Sequence, residues 1–147
     1  MSTFSPRPES NSSHLAGEFF VAAELSKRGY CVALTMGNAK AIDIFAELDR
    51  RSVNIQVKAI RHKKNVGWPM FKNKVLSNVI YVFVCLNGIE DPPSYYIATP
   101  NEVRPRIKEY TIRGILNRGA VNTPQFLDRW DKIELALAAQ PVSRKTR

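Results

Sequence analysis

The sequence has little of what membrane, disulfide-rich and zinc-binding proteins need. Its most continuous apolar run, residues 78–86, is far shorter than the roughly 18 residues of a membrane-spanning helix, and the N-terminus has no apolar signal core. Cys31 and Cys85 lie in apolar, β-prone runs, which predicts two buried, reduced thiols and a cytoplasmic location. Together with His14 and His62 they lack the ligand spacing of a zinc site.

Acidic residues are also scarce. There are 13 Asp and Glu against 22 Lys and Arg, a formal net charge of +9, which indicates a polyanionic partner such as nucleic acid or an anionic membrane surface. A length of 147 residues with 44% hydrophobic residues is typical of one globular domain. We expect a disordered leader at residues 1–11, a single domain at residues 12–139 and a basic disordered tail at residues 140–147.

The order of elements predicts an α/β sandwich built on a mixed sheet. The pattern is a helix, three strands, a helical connection, two strands and one or two final helices. The first helix is expected at residues 13–28, and a short helix in the connection is expected to begin at Pro69. Residues 78–86 indicate a central strand that is buried on both faces. The last helix is expected to begin near Pro124, with Trp130 in the core.

One acidic residue interrupts the apolar face of the first helix. Glu18 follows Leu15 by three residues and precedes Ala22 by four, so its side chain is expected to point towards the core. An unpaired charge costs several kcal/mol or more there. The alternative is a boundary residue whose carboxylate reaches solvent.

Two half-buried strands are expected on either side of the turn at residues 49–52. Their apolar pattern is interrupted by Asp43, Gln56 and Lys58. Whether the loop is the two residues 50–51 or all four, the positions of opposed residues sum to 101. Asp43 is then opposite Lys58, and Phe45 is opposite Gln56. Opposed residues share a face of the sheet, so Asp43, Gln56 and Lys58 are expected to converge. The alternative for Asp43 and Lys58 is a surface ion pair worth at most about 1 kcal/mol.

This set of side chains suits a hard divalent cation. Two carboxylates and an amide oxygen are ligands for Mg²⁺ or Mn²⁺, and such an ion polarises a phosphodiester. A nearby lysine neutralises the negative charge that grows in the transition state. The residues alone therefore favour metal-assisted phosphodiester hydrolysis.

The order of these residues also resembles a known family. Glu18 on a first helix, Asp43 on a strand and "QVK" on the next strand resemble the PD-(D/E)XK nuclease superfamily, restriction-endonuclease-like and Holliday-junction-resolvase-like. The resemblance implies Asp43 as the central metal ligand, Gln56 as an oxygen ligand and Lys58 as the catalytic lysine. It also implies Glu18 as the helix acid, acting directly or through water, and the backbone carbonyl of Val57 as a further ligand.

The resemblance covers residues 13–99 and implies an αβββαβ core with a mixed central sheet flanked by helices. Two positions depart from the family pattern. Ile42 stands in place of the name-giving proline, and Gln56 stands where most members have Glu or Asp. The loss of one negative charge should weaken metal binding, which leaves open a relative that no longer cleaves.

Basic residues near the predicted site are candidates for phosphate contacts: Arg61, Lys63, Lys64, Lys72 and Lys74. The alternative for the run of four beginning at Arg61 is a solvated loop. Trp68 could stack on a base, although a hydrophobic anchor is the favoured interpretation.

The sequence therefore predicts a Mg²⁺- or Mn²⁺-dependent endonuclease, resolvase-like or restriction- or repair-like. DNA is the expected partner, RNA the second, and no membrane partner is expected. Cutting both strands of a duplex would favour a homodimer. One alternative is an inactive PD-(D/E)XK-like module that binds nucleic acid. Another is a structural subunit whose basic surface meets an acidic protein.

Overall fold

The computed structural model describes residues 10–35, 42–61 and 66–144. Its strands are β1 (Cys31–Leu34), β2 (Ile44–Leu48), β3 (Arg51–Ile60), β4 (Gly67–Pro69), β5 (Ile80–Cys85), β6 (Ser94–Ala98), β7 (Ile107–Glu109) and β8 (Gly114–Asn117). Its helices are α1 (Ser10–Lys27), α2 (Pro100–Val103), α3 (Arg118–Val121) and α4 (Asp131–Ala138), with 3-10 turns at Lys72–Lys74 and Arg104–Arg106.

The centre of the fold is a mixed sheet of five strands in the order β1-β2-β3-β5-β6. Strands β3 and β5 are parallel, and the other neighbours are antiparallel. Helices α1 and α4 pack on one face. The other face is covered by a second sheet in the order β4-β8-β7 together with α2 and α3. The predicted α/β sandwich with a mixed sheet is confirmed.

Strand β5 separates two hydrophobic cores. All six of its residues are buried, as the continuous apolar run predicts. Val82 and Val84 contribute to the core under α1 and α4, whereas Tyr81 and Phe83 contribute to the core under the small sheet. Alternating residues of one strand therefore hold the two layers together.

The connection between β3 and β5 differs from the prediction. No α-helix occurs in its described part, which forms β4 and a 3-10 turn instead. Pro69, expected to begin a helix, ends β4 opposite Ile115 of β8. Since β4 is an edge strand of the small sheet, a residue without an N–H is tolerated there. The strands of the small sheet have three or four residues each, too few to show a period in the sequence.

The final helix also begins later than expected, at Asp131 rather than near Pro124. Asp128 has a φ of 53°, a left-handed conformation that a continuous helix does not admit. Leu127 meanwhile forms an isolated β-bridge with Tyr96 of β6. A tertiary contact has therefore replaced the first two helical turns.

The predicted burial of Cys85, Trp68 and Trp130 is observed, but that of Cys31 is wrong. Cys31 begins β1, an edge strand on which no residue is fully buried, so its thiol is exposed. The indole N–H of Trp68 donates to the carbonyl of Val84 at 3.3 Å. This contact supports the interpretation of Trp68 as an anchor.

The ends of the domain extend slightly beyond the predicted bounds. Helix α1 begins at Ser10, inside the predicted leader. The Ser143 N–H donates to the Arg50 carbonyl at 2.8 Å, so part of the predicted tail contacts the β2–β3 turn. The remaining leader and tail residues, 1–9 and 145–147, lie outside the described ranges. Within those ranges, no helix combines the length and apolar character of a bilayer span.

A glycine allows α1 to approach β3 closely. A Cβ added at Gly17 would lie 2.7 Å from the Cβ of Ala59 and 3.4 Å from Cγ1 of Val57. Val21 and Leu25 bury their side chains completely on the same face of α1. The helix and the strand are therefore in van der Waals contact one residue before Glu18.

We expect Gly17→Ala to lower the free energy of unfolding by about 1 kcal/mol. The overpacking costs about 1–3 kcal/mol, and the higher helix propensity of alanine offsets up to about 1 kcal/mol. Urea denaturation measures the change. Gly119→Ala in α3 is the matched control, because a Cβ there would meet nothing within 4 Å. Equal effects of the two substitutions would contradict the close-contact argument.

Candidate active site

The β2–β3 hairpin determines which residues lie opposite one another. Its loop is the pair Asp49 and Arg50, both with positive φ, of 50° and 60°, the conformation that suits the strand twist of a two-residue hairpin. Ile44 is opposite Ile55, so opposed positions sum to 99 and the predicted register is wrong by two residues. Because side chains alternate with a period of two, this error leaves the alternation of the strand positions unchanged. The paired residues end at Ile44 and Ile55, so the predicted convergence of Asp43 with Gln56 and Lys58 stays a prediction.

Asp43 lies immediately before β2, where the ladder is irregular. Its N–H donates to the carbonyl of Ile55 at 2.9 Å, one residue out of register with the strand pair. The Val57 N–H donates to Oδ2 of Asp43 at 2.7 Å, so a side-chain oxygen takes the place of a backbone carbonyl. Bulge-like irregularities of this kind re-aim side chains and are common beside active sites. The carboxylate of Asp43 is therefore held by β3, with its other oxygen free to face α1.

Helix α1 brings two residues to that carboxylate. Nε2 of His14 lies 3.0 Å from Oε1 of Glu18 and 3.6 Å from Oδ1 of Asp43. One ligand atom from each of the three residues lies within 4.8 Å of the other two. Glu18 is only 8% exposed, as its position on the apolar face predicts. We call these three residues the acidic cluster.

The sequence-based prediction missed His14, which was considered as a zinc ligand and excluded on spacing. Its spacing from Glu18 is the signal that was available. Residues four apart lie on the same face of a helix, so an inward Glu18 brings His14 to the same end of the sheet.

Burial and the neighbouring Asp43 carboxylate disfavour the ionised form of Glu18. The pKa of Glu18 is raised from its ordinary 4.5 to about 7, first by burial and then by the hydrogen bond and the charge of Asp43. Perturbed carboxylates of this kind are frequent at functional sites. A bound cation would relieve the repulsion.

The donor set fits a divalent cation. Two carboxylates and an imidazole nitrogen converge, and the nitrogen extends the suitable ions from Mg²⁺ to Mn²⁺ and other transition metals. The side chain of Val57 is completely buried, and its N–H holds Asp43. The role of its carbonyl as a ligand stays a prediction.

Gln56 and Lys58 open into a cavity on the other face of β3. They line it together with residues of the segment 69–76. Neither side chain has a hydrogen bond or ion pair with another described residue. The predicted alternative, a surface ion pair between Asp43 and Lys58, is therefore not formed. The ammonium of Lys58 has no anionic partner in the described ranges.

The residues predicted to bind phosphates divide into three groups. Arg61 is half-buried, and its Nε and Nη2 donate to the hydroxyls of Ser13 and Ser12 at 2.9 and 3.3 Å. It therefore ties the end of β3 to the first turns of α1. Lys72 and Lys74 are exposed on the 3-10 turn. Lys63, Lys64 and His62 lie outside the described residues.

Comparisons with protein-family models and with curated protein sequences give no match. Two solved structures superpose on this chain. A bacterial homing endonuclease, I-Ssp6803I, matches at 13% identity with a TM-score of 0.61, over 90% of this chain and 98% of its own. Hjc, a Holliday junction resolvase from Archaeoglobus fulgidus, matches at 12% identity with a TM-score of 0.53, over 82% and 95%. The chain therefore shares the fold of these two structures, which confirms the predicted restriction-endonuclease-like fold.

We expect Glu18→Gln to stabilise the metal-free protein by about 2 kcal/mol at pH 8. Since the pKa of Glu18 is higher in the folded protein, the folded state binds more protons between pH 4.5 and 7, and wild-type stability falls as pH rises through that window. Below about pH 4.5 both states carry the proton and the advantage of the variant should disappear. Urea denaturation in EDTA across pH measures this. A variant no more stable than wild type at pH 8 would contradict it.

Proposed function

We propose that this protein is a metal-dependent endonuclease that hydrolyses phosphodiester bonds in DNA. The observation that carries the proposal is the acidic cluster of His14, Glu18 and Asp43, built between the start of β2 and α1 of a nuclease-type fold. The ammonium of Lys58, which has no anionic partner among the described residues, and the net charge of +9 support a phosphodiester substrate.

The acidic cluster would hold the cation through Asp43, Glu18 and His14, with the oxygen of Gln56 and the carbonyl of Val57 as further candidates. When bound, Mg²⁺ or Mn²⁺ supplies electrophilic activation of the phosphodiester. The residues of the chain hold and orient the ligands of the cation. The N–H of Val57 fixes one carboxylate oxygen of Asp43 and leaves the other available.

Lys58 would act on the substrate itself. Its ammonium is not neutralised by a carboxylate of a described residue, so it can neutralise the negative charge that builds on the phosphate in the transition state. Its position two residues after Gln56 on β3 puts both side chains on one face of the strand. Lys72 and Lys74 would hold flanking phosphates.

The nucleic-acid substrate, the oligomeric state and the cellular location are part of the same proposal. DNA is the proposed substrate, and RNA is the nucleic acid to test beside it. A homodimer would place two sites on the two strands of a duplex. The free thiols of Cys31 and Cys85 suit a reducing, cytoplasmic environment.

A second candidate is a module that binds nucleic acid without cleaving it. The observation that favours it is Gln56, which contributes no negative charge where a carboxylate would strengthen metal binding. Such a module keeps the fold and the basic surface, and its binding needs no cation.

We expect wild type to cut DNA in Mg²⁺ or Mn²⁺ and Lys58→Ala to cut at least about 100-fold more slowly. A labelled panel of linear duplex, single strand, four-way junction and structured RNA measures cleavage. Lys27→Ala, at the exposed end of α1, is the matched control and should cut like wild type. If none of the three proteins cuts and all bind DNA equally in EDTA, the binding module replaces the nuclease.

The acidic cluster should bind the cation in the absence of DNA. We expect Mn²⁺ to raise the Tm of wild type, since an ion at about 100 times its Kd stabilises by about 2.7 kcal/mol. Asp43→Asn should abolish the shift, and His14→Ala should reduce it more for Mn²⁺ than for Mg²⁺, because imidazole prefers transition metals. Glu134→Gln on α4 is the control. The same shift in wild type and Asp43→Asn would contradict a cation at this cluster.

A further inference from the structure

A cavity of about 450 Å³ lies on the face of β3 that carries Gln56 and Lys58. Besides these two side chains, the segment that follows β4 lines it, chiefly through Met70, Phe71 and Leu76. This volume falls in the range of roughly 300–1,000 Å³ typical of small-molecule sites. The cavity is large enough for a ligand and directly adjoins the proposed catalytic lysine.

Backbone contacts hold the wall of the cavity in place. The Met70 N–H donates to the carbonyl of Gly114 at 3.1 Å, and a Cβ at Gly114 would lie 2.1 Å from the Met70 oxygen. The Leu76 N–H donates to the hydroxyl of the buried Tyr81 at 2.8 Å. Because both ends of the wall are bonded to the body of the domain, the cavity exists before a ligand binds, and little ordering cost opposes binding.

The lining of the cavity is largely apolar and carries two positive charges. Lys58 and Lys74 supply two ammonium groups, and no described lining residue is acidic. Phe71 is 39% exposed although it lines the cavity, so part of its ring is open to a partner. Aromatic and apolar walls beside cations are the arrangement that binds a base and its phosphates.

We propose that this cavity binds one unpaired or extruded base of a DNA substrate, beside the phosphate at which Lys58 acts. A base inside a duplex has both faces covered by its neighbours, so only a base outside the stack can offer a face to Phe71. Bases that are already unpaired cost less to bring into such a pocket. The protein therefore prefers DNA with an unpaired nucleotide over a perfect duplex. This inference deepens the proposed function and rests on it for the role of Lys58.

The test is equilibrium binding in EDTA, where no cleavage interferes. A labelled duplex with one bulged nucleotide is compared with the same duplex fully paired, by fluorescence anisotropy. We expect wild type to bind the bulged duplex about tenfold more tightly, since stacking of one base on an aromatic ring has an effect of this order. Phe71→Ala should lose the preference, and Phe71→Trp should keep it. Phe19→Ala, which removes an exposed ring of α1 outside the cavity, should also keep it.

A second readout does not depend on a truncated side chain. In Phe71→Trp, stacking should quench the new indole when the bulged duplex is added and leave it nearly unchanged with the paired duplex. Equal binding of both duplexes by wild type, or a preference that persists in Phe71→Ala, overturns the proposal even if the protein cleaves DNA. A preference that depends on Phe71 in a protein that cuts nothing supports the base site and rejects the nuclease.

Discussion

The contact between α1 and β3 at Gly17 determines where the candidate active site can form. The helix lies so close to the strand that an added Cβ would be 2.7 Å from that of Ala59. Glu18 is the next residue, and His14 lies one helical turn earlier, so this contact sets the reach of both side chains. A helix held farther away would leave Asp43 without the two partners that complete the acidic cluster.

Ionisation of Glu18 in the acidic cluster lowers the free energy of unfolding of the metal-free protein. Burial and the neighbouring Asp43 raise the pKa of Glu18 to about 7, which means that the metal-free fold resists the charge a cation would require. The burial of apolar side chains in the two cores on either side of β5 offsets this cost. On the opposite face of β3, Lys58 forms no ion pair with a carboxylate of the described residues.

Much of the fold could be predicted because local patterns carry it. The apolar run of β5 indicates a strand buried on both faces, and the alternation along β2 and β3 predicts an antiparallel hairpin. The predicted register of β2 and β3 was wrong by two residues. The loop is formed by Asp49 and Arg50, whose left-handed conformation is not required by their residue types. The small sheet could not be predicted, because strands of three or four residues are too short to show a period and are stabilised by pairing with distant segments.

The sequence by itself determined the spacing of the site residues along the helix and the strands. Glu18 points inward because of helical spacing, and regular alternation along the two strands would put Asp43 on the face of Gln56 and Lys58, whatever the loop length. Only the tertiary structure decided that Asp43 turns towards α1 and His14, and that Gln56 and Lys58 open into a cavity instead. The alternation of side chains is a property of each strand alone. The direction of a carboxylate depends instead on which N–H of a neighbouring strand it can reach.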